Sequence, residues 1–225
     1  MKALITGGSG FLGKVIYAEL EKNWDVITIS RNQGTLNLDL SKEIPLLPQI
    51  DLVVHAAGKA HIVPKSSTEI EDFHEVNVTG SKNLLTGLEQ MPLLPKHLVF
   101  VSSVAVYGCE IGLLINEEHP LNAKDPYGLS KIGAESLIKD WCLKNNVICS
   151  ILRLPLIVGL NPPGNLRAMI NGIKKGYYFN IDKGKARKSM VMANDVANII
   201  PIVSKIGGTY NLTDRYHPSF FELSN

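Results

Sequence analysis

Cysteine, net charge and long apolar runs are all in short supply in this sequence, and each scarcity closes off a class of protein. The three cysteines, Cys109, Cys142 and Cys149, are odd in number and stand in no metal-ligand spacing. That excludes a disulfide-framed secreted scaffold and a cysteine metal centre, and they read as ordinary thiols of a reducing compartment. No apolar stretch reaches the roughly 20 residues that a membrane span needs. Net charge is +2 over 225 residues, too slight a bias to argue for nucleic acid or an anionic membrane as the main partner. The chain opens "MKALITGG", a strand pattern that leaves no room for a signal peptide. A cytoplasmic location is therefore the expectation.

What the chain does have is apolar residue in quantity, 45% of the total, enough to bury a large core. Short runs rich in Val, Ile and Leu recur: 2–6, 25–30, 35–39, 51–57, 97–103 and 147–155. Helical patterns lie between them at 11–22, 68–90 and 127–145. Apolar runs without alternation are the mark of strands buried on both faces, as in parallel sheets. Their alternation with helices predicts right-handed βαβ units and an α/β, doubly wound parallel sheet. The texture changes after Gly159, where "LNPPGN" reads as a loop followed by shorter elements. We therefore expect a dinucleotide-binding unit over 1–159 and a substrate-binding lobe over 160–225, interleaved with the last sheet elements.

The segment "TGGSGFLG" (6–13) sits between the first strand and the first helix. It satisfies Gly-x-Gly-x-x-Gly through Gly8, Gly10 and Gly13, and Gly-x-x-Gly-x-x-Gly through Gly7, Gly10 and Gly13. A glycine triplet alone is no more than a turn. Between a strand and an amphipathic helix it predicts a loop whose backbone approaches a pyrophosphate at a helix N-terminus. A carboxylate at the end of the second strand would select NAD. Here the sequence is Ser30-Arg31-Asn32. Arg31 tilts the choice from NAD toward NADP, through a 2′-phosphate, with a solvent-facing arginine as the plain alternative. Asp39 and Leu40 follow as candidates to flank the adenine, or as a simple strand end.

The fifth predicted strand ends in "VSSVAVYG" (101–108), and strand carboxyl ends face the ligand crevice in such sheets. Next comes "PYGLSK" (126–131), with Tyr127 and Lys131 at i and i+4 on one helix face. A phenol ionises near pH 10 and is a poor base at neutrality. An ammonium nearby, with an oxidised nicotinamide, would stabilise the phenolate. Tyrosine could then take a proton from an alcohol as hydride leaves, or return one to a ketone, while a strand-end serine holds the reacting oxygen. An exposed tyrosine and lysine at a helix start is the plain alternative. The order glycine loop, serine-ended strand, Tyr-x-x-x-Lys favours the acid/base reading.

Together with "HAAG" (55–58), "NVTG" (77–80), "RLPLIVG" (153–159) and "MANDVA" (192–197), these motifs resemble the extended short-chain dehydrogenase/reductase family in its NAD-dependent epimerase/dehydratase branch. The resemblance implies an NAD(P)-binding Rossmann fold with Ser103, Tyr127 and Lys131 as the catalytic set. It places the cofactor against Gly7, Ser9, Gly10, Phe11, Leu12, Gly13, Ala56, Ala57, Gly58, Asn77 and Pro155, besides Tyr127 and Lys131. It implies nucleotide-sugar substrates, with Asn165 of "NPPGNL" on the nucleotide-sugar and Lys188, beside Arg187, on the diphosphate. Val104 and Ala105 stand where 4,6-dehydratases carry an Asp-Glu pair, which argues against dehydration. Family members continue past "YNLTD" (210–214), so part of the substrate pocket is expected to be missing. The resemblance further implies a homodimer through a four-helix bundle built from the 68–90 and 127–145 helices. The expected activity is NAD(P)-dependent epimerisation or 4-ketoreduction of a nucleotide-sugar. The alternative is a non-catalytic dinucleotide-binding sensor of the same fold.

Overall fold

Period and burial agree along the first strand of the computed structural model, which describes residues 1–60, 63–109 and 111–224. Strand β1 (Lys2–Thr6) sends Ala3 and Ile5 to one side of the sheet and Leu4 to the other, all with no exposure. The remaining strands in order are β2 (Asp25–Ser30), β3 (Leu36–Asn37), β4 (Leu52–His55), β5 (His97–Ser103), β6 (Ile148–Leu154), β7 (Leu156–Val158), β8 (Met190–Met192) and β9 (Gly208–Asn211). Seven of them form one parallel sheet in the order β3-β2-β1-β4-β5-β6-β9, while β7 and β8 pair as a separate parallel ribbon. The strand order reverses between β1 and β4, and such a reversal opens a crevice at the carboxyl ends of the strands.

Each face of the sheet is covered by helices. Helix α1 (Phe11–Leu20) packs on one face through Leu12, Ile16 and Leu20, beside α6 (Ala193–Ile206), which contributes Val196, Ala197 and Ile200. The other face carries α2 (Ser67–His74), α3 (Gly80–Glu89) and α4 (Pro126–Lys144). There Leu84, Leu85 and Leu88 of α3 meet Ala134, Ile138 and Trp141 of α4 over Leu98, Phe100 and Ile151. Helix α5 (Gly164–Lys174) and the short α7 (Phe220–Ser224) belong to the region beyond the crevice.

Two departures from the sequence reading matter. The expected helix over 68–90 contains a π-helical turn, Glu75–Thr79, between α2 and α3. It carries the buried Asn77, and a single wide turn of this kind is a recurrent feature of functional sites. The strand expected over 51–57 stops at His55, so Ala56, Ala57 and Gly58 lie beyond its carboxyl end.

Candidate active site

Backbone geometry builds the first wall. Gly7 has φ +73°, a value that L side chains rarely adopt, and a Cβ there would meet Ala57 Cα at 2.9 Å. At Gly13 a Cβ would lie 2.1 Å from the Gly7 carbonyl oxygen, so α1 can press against the loop only without a side chain. Gly10 stands at the N-cap of α1, and no side chain among the described residues caps the first turn. Those amides are oriented for an anion, as a dinucleotide pyrophosphate requires.

Helix α4 builds the opposite wall. Asp125 caps it, its Oδ1 accepting from Gly128 N at 2.9 Å, and Pro126 occupies the first turn where its missing N–H costs nothing. One face of the helix then carries Tyr127, Lys131 and Glu135 in successive turns, followed by the apolar Ile138 and Cys142. The parallel register brings Thr6, His55 and Phe100 side by side, and sets Ser102 against Arg153 and Ser103 against Leu154.

Between these walls lies a crevice of about 560 Å³. Of the residues read from the sequence, Gly7, Gly10, Phe11, Leu12, Gly13, Ala56, Gly58, Ser103, Tyr127, Lys131, Pro155 and Asn165 line it together. Asp125, Ser102, Val63 and Pro163 also line it and do not stand out in the sequence. Asp125 is the most legible of these, because an Asp immediately before Pro at a helix start is a cap signal.

Other expected residues fall elsewhere. Ser9 lines a second, shallower hollow with Gly8, Lys14, Tyr17, Thr28 and Thr35. Asp39 binds Ser41 through Oδ1, from Ser41 N at 3.0 Å and Ser41 Oγ at 2.7 Å, and Leu40 is in the core. Arg31 is exposed; against the opposing pull of burial, the Ser41 hydrogen bonds, and after them the Arg31 and Lys42 charges, hold the Asp39 carboxyl below the usual range. Ala57 packs toward the α3–α4 core while its N–H donates to Thr6 Oγ1 at 3.1 Å. Asn77 stands behind the wall and ties the loop to the helix. Its Oδ1 accepts from Lys59 N at 2.7 Å, and its Nδ2 donates to Lys59 O at 3.1 Å and Ser130 Oγ at 2.8 Å. Arg187 is turned toward the chain end, donating to His217 O at 2.9 Å and pairing with Glu222 at 3.3 Å, and Lys188 is exposed. Neither of these two lines the crevice.

The electrostatics are set by burial. Lys131 is 5% exposed; its Nζ donates to Val101 O at 2.9 Å and lies 4.8 Å from the centre of the Phe100 ring. Burial pulls its ammonium down to about 8, while the Glu135 carboxylate acts in the opposite direction. The Tyr127 phenol is raised above its ordinary value by burial; the Ser103 hydrogen bond opposes this, and the Asp125 charge adds to it. This is the phenol of the chain by itself; the lowered value expected beside an oxidised nicotinamide belongs to the cofactor-bound state.

His55 is buried at the end of β4. Thr6 Oγ1 is 2.6 Å from its Nδ1, and Ser81 Oγ is 2.8 Å from its Nε2. Thr6 Oγ1 already accepts from Ala57 N and Ser81 Oγ already donates to Asn77 O, at 2.6 Å. The remaining roles fix a neutral ring that accepts at Nδ1 and donates at Nε2. Burial, with the Lys131 charge nearby, lowers its value to about 3.

The chain is 26% identical over 205 residues to the N-acetyl-alpha-D-glucosaminyl-diphospho-ditrans,octacis-undecaprenol 4-epimerase of Escherichia coli O157:H7, covering 88% of this chain and 61% of that protein. It is 27% identical to the dTDP-D-glucose 4,6-dehydratase of Dictyostelium discoideum, a match that covers all of this chain and 59% of the relative. The chain thus spans about three fifths of the length of these relatives. The UDP-glucose 4-epimerase of Thermus thermophilus, solved with NAD, superimposes with a TM-score of 0.80 at 22% identity over 100% of this chain and 81% of that one, a likeness of fold. A model of the NAD dependent epimerase/dehydratase family matches residues 3–212, and the chain belongs to that family.

Proposed function

We propose that this chain carries the catalytic half of a nucleotide-sugar epimerase or 4-ketoreductase, with Ser103, Tyr127 and Lys131 as the reacting set. The observation that carries the reading is the convergence of these three residues on the same crevice as the uncapped amides of α1. NAD suits the glycine loop: Gly7, Gly10 and Gly13 leave its backbone open to the pyrophosphate, and Lys131 would hold the nicotinamide ribose. When bound, the nicotinamide accepts or donates hydride at the sugar carbon. Ser103 holds the sugar oxygen, and Tyr127 takes or gives the proton at that oxygen. We favour NAD over NADP, because the solved relative carries NAD.

Relatedness does not choose between epimerase and dehydratase, since a dehydratase is among the relatives. Val104 and Ala105, in the turn after Ser103, offer no carboxylate for dehydration. We take residues 160–225 as the substrate lobe, with Asn165 at the crevice as its nucleotide-sugar contact. Pairing of two copies through the 67–89 and 126–144 helices also belongs to this reading, supported by the exposed Ile70 and Leu129. A sensor that binds cofactor without turnover is the second reading, favoured by a match that covers only about three fifths of the relatives' length.

The test is Tyr127→Phe in the full-length gene product, assayed with UDP-, dTDP- and GDP-sugars while reduced nicotinamide is followed by absorbance. Loss of turnover by about 100-fold or more, with cofactor affinity kept, is the expected result. Undiminished turnover removes the assignment, and a parent protein that binds NAD without turning over any sugar establishes the sensor.

A further inference from the structure

One heavily bonded polar group of this chain has no part in the proposed chemistry. Glu135 is 1% exposed. Its Oε1 accepts from Ser102 Oγ at 2.5 Å and from Arg153 Nε at 3.1 Å, and its Oε2 accepts from the other arm of Arg153 at 2.8 Å. Lys139 Nζ approaches the same Oε2 at 3.6 Å. Arg153, 2% exposed, reaches onward to Tyr107 OH at 2.9 Å and Glu117 O at 3.0 Å, and Tyr107 OH donates to Asn211 Oδ1 at 2.7 Å.

Strand register explains the assembly. Ser102 and Arg153 are paired across β5 and β6, Arg153 and Asn211 across β6 and β9, and alternation points Ser102 and Arg153 to the face that α4 covers. Glu135, one turn after Lys131, closes on that pair from above. A buried ion pair of this kind adds little net stability over an apolar substitute, because desolvating both charges costs about what their attraction returns. Holding one geometry is the better account of it here. Ser102 is bonded on one side of Ser103, and Lys131 lies one turn from the bonded carboxylate.

We infer that Glu135 is a positioning residue of the proposed site: its buried carboxylate clamps α4 to the strand ends that carry Ser103 and serves as the counter-charge that keeps Lys131 an ammonium. The inference rests on the Ser103–Tyr127–Lys131 chemistry proposed above. The groups around Lys131 support it. From α4 these are Tyr127, kept protonated, and Glu135; from β4 the neutral His55; from β6 Arg153, turned toward Glu135; and at the head of α4 Asp125, which acts on Tyr127. Among these groups Glu135 is the anion whose charge favours the Lys131 ammonium, against a burial that draws it down to about 8.

The experiment is Glu135→Gln in the full chain, read first without cofactor. With ¹⁵N-labelled lysine, the Nζ resonance of Lys131 is titrated by NMR in parent and variant. The midpoint is expected to fall by about one pH unit in the variant, with a native circular dichroism spectrum. In turnover assays the alkaline limb of kcat should move to lower pH by the same amount while KM for the nucleotide-sugar stays put. A folded variant with an unmoved midpoint overturns the inference. If Glu135→Gln does not fold, Glu135→Met with Arg153→Met removes the buried pair together, and the Lys131 midpoint again falls. An unmoved midpoint there overturns it equally. A parent that turns over no nucleotide-sugar, with the midpoint still shifting in the variant, refutes the proposed function and supports the counter-charge role of Glu135.

Discussion

At the scale of single residues, the site rests on buried groups whose protonation is set by neighbours, and His55 offers the cleanest measurement. Folded, it is neutral down to about pH 3; unfolded, it protonates near its ordinary value of 6.5. Between those limits the unfolded chain binds more protons, so stability rises with pH through this window and is lost as pH falls. The loss from this group approaches about 1.4 kcal/mol per pH unit at most. His55→Asn, which keeps a donor and an acceptor, is expected to be less stable than the parent at pH 7 but to show a shallower decline between pH 6.5 and 4 in urea unfolding. Parallel declines in both proteins would assign the acid sensitivity elsewhere. In the sequence, "HAAG" draws attention to its alanines and glycine rather than to this histidine. A lone histidine carries no signal until Thr6, Ser81 and the Asn77 carbonyl are brought round it from three other elements.

At the scale of elements, the sequence is most legible where one period rules. Strands β1, β2 and β5 lie where their apolar runs place them, since residues buried on both faces leave continuous signals. Helix α4 is harder. Its buried stripe is polar near the crevice (Tyr127, Lys131, Glu135) and apolar farther along (Ile138, Cys142), so hydrophobic periodicity covers only its second half. The Tyr-x-x-x-Lys spacing reveals the first half, and Glu135 escapes because its partner Arg153 is 18 residues away on β6. The π turn at 75–79 leaves no trace either, and the partners of its Asn77, Lys59 and Ser130, lie on other elements. The joint between loop and helix at Gly13 supplies the prediction at this scale. An added Cβ would sit 2.1 Å from the Gly7 carbonyl oxygen, a contact only backbone movement relieves. Gly13→Ala is expected to cost about 1–3 kcal/mol in thermal or urea unfolding and to weaken NAD binding measured by calorimetry. An alanine variant with parental affinity would mean that the loop does not hold the pyrophosphate.

At the scale of the whole molecule, the charge that looks featureless in total is unevenly placed. Residues 164–188 hold seven of the lysines and arginines and one aspartate, although the entire chain is only +2. Lys185 reaches Asp182 at 4.0 Å and Arg187 reaches Glu222 at 3.3 Å, in open positions where such pairs are weak. The remaining cations belong to the region that begins at the crevice with Pro163 and Asn165. A substrate with a diphosphate bridge would be drawn toward that side, and such attraction fades once the screening length drops below about 10 Å near 0.1 M salt. For the proposed activity, KM for the nucleotide-sugar is therefore expected to rise a few-fold between about 20 and 300 mM NaCl with kcat nearly constant. Lys183→Glu with Lys185→Glu should raise KM at low salt and flatten that dependence. If the double variant keeps the parental salt response, the basic stretch does not steer the substrate, and its charge serves something other than the proposed reaction.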